Sequence, residues 1–294
     1  MAAQPQPTSA MQVVLGAIQL PRRWRLGFGP ILAALVLIVI VVATASAYLY
    51  VPHNPMSMDA LQRLKGPSET YWLGTDPYGR DLFSRVMVGG QVSLLIGVAA
   101  AIVSVLIGLV IGLISGFFRM ADALIMRVMD ALMAIPSILL AIALVALVGP
   151  SVGSVIFAIT IPEVPRVVRL VRSVVLSARE EPYVEAAIAL GSSMPKILWK
   201  HLMPNTLAPL IVQGTYICAS AILTEAILSF LGAGVSTEIP TWGNIMAEGR
   251  MFFQIKPELI FWPGLLLSLC ILSINLLGDT ARDLLDPRLK KREA

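Results

Sequence analysis

Glu185-Ala186-Ala187-Ile188-Ala189-Leu190-Gly191, continuing to His201-Leu202-Met203-Pro204-Asn205, is a polar island between apolar runs long enough to cross a bilayer. Its local chemistry is that of two short helices set at an angle. Glu181-Pro182 opens the first with proline in the first turn, where a missing N–H costs nothing. Helical spacing puts Tyr183, Ala186, Ala187 and Leu190 on one face. The alanines keep that face shallow, so another surface can approach the backbone closely. Gly191 permits the left-handed turn that ends the helix. A second short helix is expected to restart near Pro195 and to stop by Pro204.

The surroundings of the island set the class of protein. A mean hydropathy of +0.81, with 57% apolar and 14% charged residues, is far from the soluble average of about 25% charged. The chain reads as an integral membrane protein. Six apolar runs are expected to span: Ile31 to Tyr50, Val92 to Phe118, Ala131 to Val148, Val152 into the Arg166 region, Leu207 to Leu231, and Leu259 to Gly278. About 20 residues at 1.5 Å each cover the roughly 30 Å hydrocarbon core. The fourth run is cleanly apolar only to Pro162; Glu163 and Arg166 follow, so its cytoplasmic end is expected to continue as a helix into water.

Charge placement gives the expected topology. With the N-terminus inside, sixteen of the 22 Lys/Arg residues fall on the cytoplasmic side, in the N-terminal tail, Arg119 to Asp130, Glu163 to Asn205 and the C-terminal tail. Positive-inside therefore favours cytoplasmic termini. The formal net charge of +4 is explained by topology and does not call for nucleic acid. Arg22, Arg23 and Arg25, an apolar run and Ala45-Ser46-Ala47 imitate a signal peptide. The run is too long for an ordinary h-region of about 7–15 residues, so an uncleaved first span is expected. The organisation expected is a tail at 1–30, a first span at 31–50, an extracytoplasmic loop at 51–91, a five-helix core at 92–280 with the polar island at about 177–205, and a C-terminal tail at 281–294.

Other constellations are weighed in the same way. Gly108, Gly112 and Gly116 recur every fourth residue and form a smooth helix face for close packing. Glu225, with Thr224 and Ser229, is the one ionisable side chain well inside an expected span; such a group either lines a watery path or serves as a buried interhelical partner. Cys218 and Cys270 lie in apolar runs and offer neither a disulfide framework nor a zinc cluster. His53 and His201 are not spaced for metal binding or nucleophilic catalysis, so no catalytic or metal residue is expected. No G-x-x-x-x-G-K-[ST] occurs, so a phosphate-cradling role is not expected and an energy source would have to sit on another subunit.

Glu-Ala-Ala alone is common by chance, and the weight lies in the whole pattern, with glycine six residues after the glutamate and Pro-Asn after a further twelve. That pattern resembles the EAA loop of bacterial ABC-importer permeases, the element that grips the ATPase. Leu73-Gly74-Thr75-Asp76 through Gly79-Arg80-Asp81 to Ser84-Arg85 resembles the signature before the second span of C-type permeases of the peptide/nickel group. Glu225 to Gly232, followed by Pro240-Thr241-Trp242-Gly243, resembles another of its motifs, and Gly278-Asp279 to Asp286-Pro287-Arg288 resembles its ending. Met203 before Pro204, and Pro162 with Pro165, depart from the pattern.

The resemblance implies an all-α, polytopic, type I ABC-importer (MetI-like) fold with six transmembrane helices, in a bacterial inner membrane. It implies a homologous B-type permease, two cytoplasmic ATPases carrying ATP and Mg, and an extracytoplasmic peptide-binding protein as partners, with no cofactor on this chain. Tyr183, Glu185, Ala186, Ala187, Gly191, Pro204 and Asn205 would couple to the ATPase, and Thr224, Glu225 and Ser229 would be candidates for the translocation path. Nickel chelates or glutathione-like solutes are the alternative cargo. An ion-driven transporter would be expected to show several intramembrane charges or matched broken helices, and a membrane enzyme would need a catalytic constellation; neither signal is present.

Overall fold

The computed structural model describes residues 27–285; the expected N-terminal tail up to residue 26 and the ending Asp286-Pro287-Arg288 lie outside them. The described chain folds as α1 (Phe28–Ser46), α2 (Leu82–Phe117), α3 (Arg119–Met133), α4 (Ser137–Val148), α5 (Val152–Ala178), α6 (Pro182–Ala189), α7 (Met194–Phe230), α8 (Trp242–Gly249) and α9 (Glu258–Leu285). Among these, α1, α2, α7 and α9 are each long and apolar enough to cross a membrane, and α3 with α4 adds a fifth crossing if the pair is counted as one.

Several boundaries differ from the sequence reading, each for a physical reason. The second helix starts at Leu82, ten residues before Val92, because Asp81 caps it: its carboxylate accepts from the Ser84 N–H at 3.0 Å and the Ser84 hydroxyl at 2.5 Å. The expected third span, Ala131 to Val148, is broken at Pro136, and α3 and α4 meet at 90°. Proline has no N–H to continue the ladder. With 12 residues, α4 is only about 18 Å long, short of a full crossing. The fourth run, by contrast, continues as a helix past Glu163 and Arg166 as expected: α5 runs unbroken through Pro162 and Pro165 for 27 residues. The second short helix of the polar island does not stop by Pro204. It widens into a π-helical segment at Ile197–Leu202 and runs on through Pro204 as the body of α7.

The frame of the bundle is the α2–α5 pair, the most extensive helix contact of the described chain. Gly108, Gly112 and Gly116 lie directly against Val167, Val171 and Val175; a Cβ added at Gly112 would stand 2.6 Å from the Val171 Cβ and 3.0 Å from the Val168 carbonyl oxygen. These three valines are fully buried in one cluster with Leu109, Leu113, Ile197 and Leu202.

One end of the bundle is closed by a buried charge quartet that joins the loop before α2 to α8. Arg80 Nε donates to Asp76 at 2.6 Å and its Nη2 to Glu248 at 2.6 Å. Arg85, with no exposed surface, donates to Glu248 at 2.5 and 3.2 Å and also to Asp76. Beside it, Trp242 is fully buried and its indole N–H donates to the Val86 carbonyl at 3.0 Å.

Gly112→Ala should destabilise by about 1–3 kcal/mol through overpacking, whereas Gly214→Ala, whose nearest neighbour would be at 3.7 Å, should be neutral or stabilising; thermal midpoints of the purified protein compare the two. Glu248→Gln strips one partner from two buried guanidinium groups, and a loss of about 3–5 kcal/mol is expected in the same measurement.

Candidate functional site

At the opposite end from the charge quartet, α6 is built as the sequence reading expects at its two termini. Pro182 occupies the first turn with Glu185 beside it, and Gly191 closes the helix at φ +73°. The closure is a complete Schellman motif: the Ser192 N–H donates to the Ala187 carbonyl at 3.0 Å and the Gly191 N–H to the Ile188 carbonyl at 2.9 Å.

The faces of α6 are divided differently from the expectation. Tyr183, Ala186, Ala187 and Leu190 do not share one outward surface, because Ala187 is 8% exposed and turns inward with fully buried Val184, while Leu190 is 86% exposed. Val184 enters the core cluster that holds Val175, Ala178, Ile197 and Leu202. A hydrophobic anchor in an eight-residue helix has to point at the core, and Val184, unremarked in the sequence reading, takes that place. Tyr183, Glu185, Ala186, Ile188 and Leu190 are left outward, and Met194 and Trp199 at the start of α7 are exposed as well.

Asn205 fastens this unit from α7. Its amide donates to the Tyr183 hydroxyl at 3.0 Å and to the His201 carbonyl at 2.7 Å, and Pro204 sits at the first turn after the π-segment. An open cavity of about 470 Å³ lies between Ser177, Ala178 and Glu181 on one side and Tyr183 and Asn205 on the other. The support beneath is stiff: Arg172 of α5 grips both carboxylate oxygens of Asp122 on α3, at 2.5 and 2.6 Å, and Arg169 reaches Asp130 at 2.6 Å. The hydrogen bond from Arg172 holds the Asp122 carboxyl below the ordinary aspartate range.

Of the three residues singled out for a path, the structure places two in the interior. Glu225 has no exposed surface; its carboxylate accepts from Ser229 at 2.8 Å and from Ser93 of α2 at 3.0 Å, and Ser93 in turn accepts from the Trp242 backbone N–H at 3.3 Å. Thr224, partly exposed, donates to the Ser220 carbonyl at 2.8 Å. The burial of Glu225 is the work of partners far off in sequence, Ser93 and the α8 turn, which no local pattern announces.

Residues 104–291 match the family model described as binding-protein-dependent transport system inner membrane component. The chain belongs to that family. It is 54% identical over 81% of its length to a probable peptide ABC transporter permease of Sinorhizobium fredii, covering 82% of that protein. It is 42% identical over 88% of its length to a dipeptide transport system permease of Alkalihalophilus pseudofirmus, covering 84% of it. It is 39% identical over 92% of its length to a glutathione transport system permease of Escherichia coli, covering 89% of it. This member of the binding-protein-dependent transport family is thus an all-α, multi-pass permease subunit of an ABC importer and not itself an enzyme. The three resemblances read from the middle of the sequence, around Thr75 to Arg85, Glu185 to Asn205 and Glu225 to Gly243, fall on the loop that joins the charge quartet, on the α6 unit and on the Glu225 node.

Because the folded carboxyl of Asp122 sits below its unfolded value, its ion pair contributes at neutral pH and the contribution is lost as pH falls through the folded value. Asp122→Asn should therefore lower the thermal midpoint at pH 7 by the equivalent of about 1 kcal/mol or less, as suits a partly exposed pair. The gap to the parent should close as the pH is taken below about 3.9.

Proposed function

We propose that this chain forms half of the translocation pathway of an ATP-driven importer for peptides, and that the outward face of α6 is the docking surface for an ATPase. The observation that carries the reading is the division of α6 itself: Val184 and Ala187 lock it into the core while Ile188 and Leu190, with Met194 and Trp199, are left bare beside Glu185. An exposed apolar patch on a rigid element is what a partner surface needs. The peptide and dipeptide permeases among the relatives support the cargo.

In this reading the bacterial inner membrane holds the subunit with both termini cytoplasmic, so the α6 end faces the cytoplasm and the charge quartet faces outward. A homologous B-type permease completes the pathway. Two cytoplasmic ATPases bind ATP with Mg, and an extracytoplasmic binding protein delivers the peptide.

ATP draws the two ATPases together, the α6 unit moves with its docking cleft, and the membrane helices pass between inward-open and outward-open states. A ligand shifts such an equilibrium only by its differential affinity for the two states, so the contact at α6 has to be stiff. Gly191 sets the angle between α6 and the start of α7, and the Tyr183–Asn205 hydrogen bond ties the two into one body. Ala186 gives close approach, and Glu185 supplies a polar contact.

The complete complex in liposomes provides the test. Ala186→Arg and Leu190→Asp alter only outward positions, so each should leave the thermal midpoint of the permease unchanged. ATP-dependent peptide uptake should fall roughly tenfold or more, the loss of about 1.4 kcal/mol or more of coupling. Parental uptake by a complex bearing both changes would overturn the docking assignment, and peptide flux through the lone chain without nucleotide would overturn the importer itself.

A further inference from the structure

A second polar constellation, apart from Glu225, runs along the outside of the subunit. A cavity of about 350 Å³ is walled by α5, α7 and α9, and Glu163, Arg166, Gln213, Tyr216, Ser220 and Asn275 supply its polar lining. A larger one of about 660 Å³ lies next to it, reaching Asn205 and Arg282. The two share Gln213 and Tyr216, so they form one groove. From Ser220 to Asn205 it follows about 22 Å of α7, most of a bilayer's hydrocarbon thickness, and it ends at the residue that fastens the α6 unit.

The register of α7 separates two polar sets. Asn205, Gln213, Tyr216, Ser220 and Thr224 share one side at helical spacing, and Glu225 with Ser229 lies on the other. The inner set is closed: each oxygen of Glu225 has a hydroxyl donor and none of the residue is exposed. The outer set is open. Both Glu163 oxygens accept from Arg166 Nη1, at 2.9 and 3.2 Å, so the carboxylate, 7% exposed, is satisfied within the pair. The Arg166 side chain is 49% exposed, and its Nε and Nη2 hydrogens have no acceptor among the described residues.

The cavity sets Glu163 and Arg166 level with Gln213 to Ser220, within the membrane-crossing α7, so Arg166, counted on the cytoplasmic side from the sequence, sits at the depth of the apolar run. An open guanidinium at that depth cannot face acyl chains at tolerable cost; it needs water or a polar ligand.

We propose that this groove is the watery, substrate-facing wall of the subunit, and that the free N–H groups of Arg166 engage the main-chain carbonyls and terminal carboxylate of a peptide in transit. This rests on the importer reading above and assigns its path to residues other than Glu225. Arg166 offers donors to a run of carbonyl oxygens, while Gln213, Ser220 and Asn275 can donate or accept without regard to side-chain sequence. Contacts of that kind are distributed and individually weak, which lets a substrate leave as well as enter. Glu163 holds the guanidinium in place and lowers its net pull on a carboxylate.

The test uses the full complex in liposomes, with Cys218→Ala and Cys270→Ala to remove the native thiols. Ser220→Cys is then compared with Leu106→Cys, which sits on the exposed apolar face of α2. A membrane-impermeant cationic methanethiosulfonate is added from the ATPase side. Thiolate forms only where water reaches, so Ser220→Cys should react roughly tenfold faster or more, and its modification should block uptake. Equal, slow rates at both positions, with and without ATP, would show the groove covered by the partner permease and would overturn the proposal. This readout does not depend on the cargo, so it can fail while peptide uptake succeeds, and the reverse. Arg166→Gln should lower the maximal uptake rate severalfold, with partial rescue by Arg166→Lys; an unchanged rate would remove Arg166 from the path.

Discussion

The close approach of α2 and α5 is the constraint on which the rest of the molecule depends. Three glycines at four-residue spacing leave room for Val167, Val171 and Val175, and a Cβ at any of the three would stand 2.4–2.6 Å from a valine Cβ. In a bilayer there is little hydrophobic gain from bringing two apolar helices together, so close packing of this kind supplies the cohesion. Everything functional hangs from that seam. The last turns of α5 carry Val175 and Ala178, which seat Val184 and hence α6; its middle carries Glu163 and Arg166; its charged face carries Arg169 and Arg172, which brace α3.

The polar groups of this chain fall into two kinds, and the difference lies in whether they are closed. The quartet of Asp76, Arg80, Arg85 and Glu248, and the node of Glu225, Ser93, Ser229 and Trp242, each join segments distant in sequence and leave little for an outside ligand. Buried charge is costly unless paired and hydrogen-bonded, so sets of this kind, in which only the buried Arg85 Nε lacks a partner, fix geometry. Arg166 and the outward face of α6 are open. One presents unsatisfied donors at membrane depth, the other bare apolar side chains at the bundle's end, and each invites a partner of matching chemistry. A subunit that works only inside an assembly has to leave such surfaces unfinished.

Much of the architecture was legible along the chain because membrane solvation writes it there. Apolar runs of about 20 residues mark the spans, Pro182 and Gly191 bound α6 by their own backbone chemistry, and the four-residue glycine period announces a packing face. At prolines the local signal is ambiguous. Pro136 breaks an apolar run that looked continuous, while Pro162, Pro165 and Pro204 sit inside helices that tertiary packing carries through. A missing N–H is a local fact, but whether the chain bends there depends on what holds the two sides.

The sequence by itself determined the class of fold, the membrane setting, the position of the polar island and the turn chemistry at its ends, since these follow from hydropathy, charge and backbone preference within a few residues. Only the tertiary structure decided which way each side chain turned. It sent Ala187 inward and Leu190 outward, closed Glu225 against Ser93, paired Arg85 with Glu248 across 163 positions, and brought Arg166, Ser220 and Asn275 to one groove. The physical reason is that helix rotation is set by packing between segments far apart in the chain, and a residue's role depends on the neighbour it meets there.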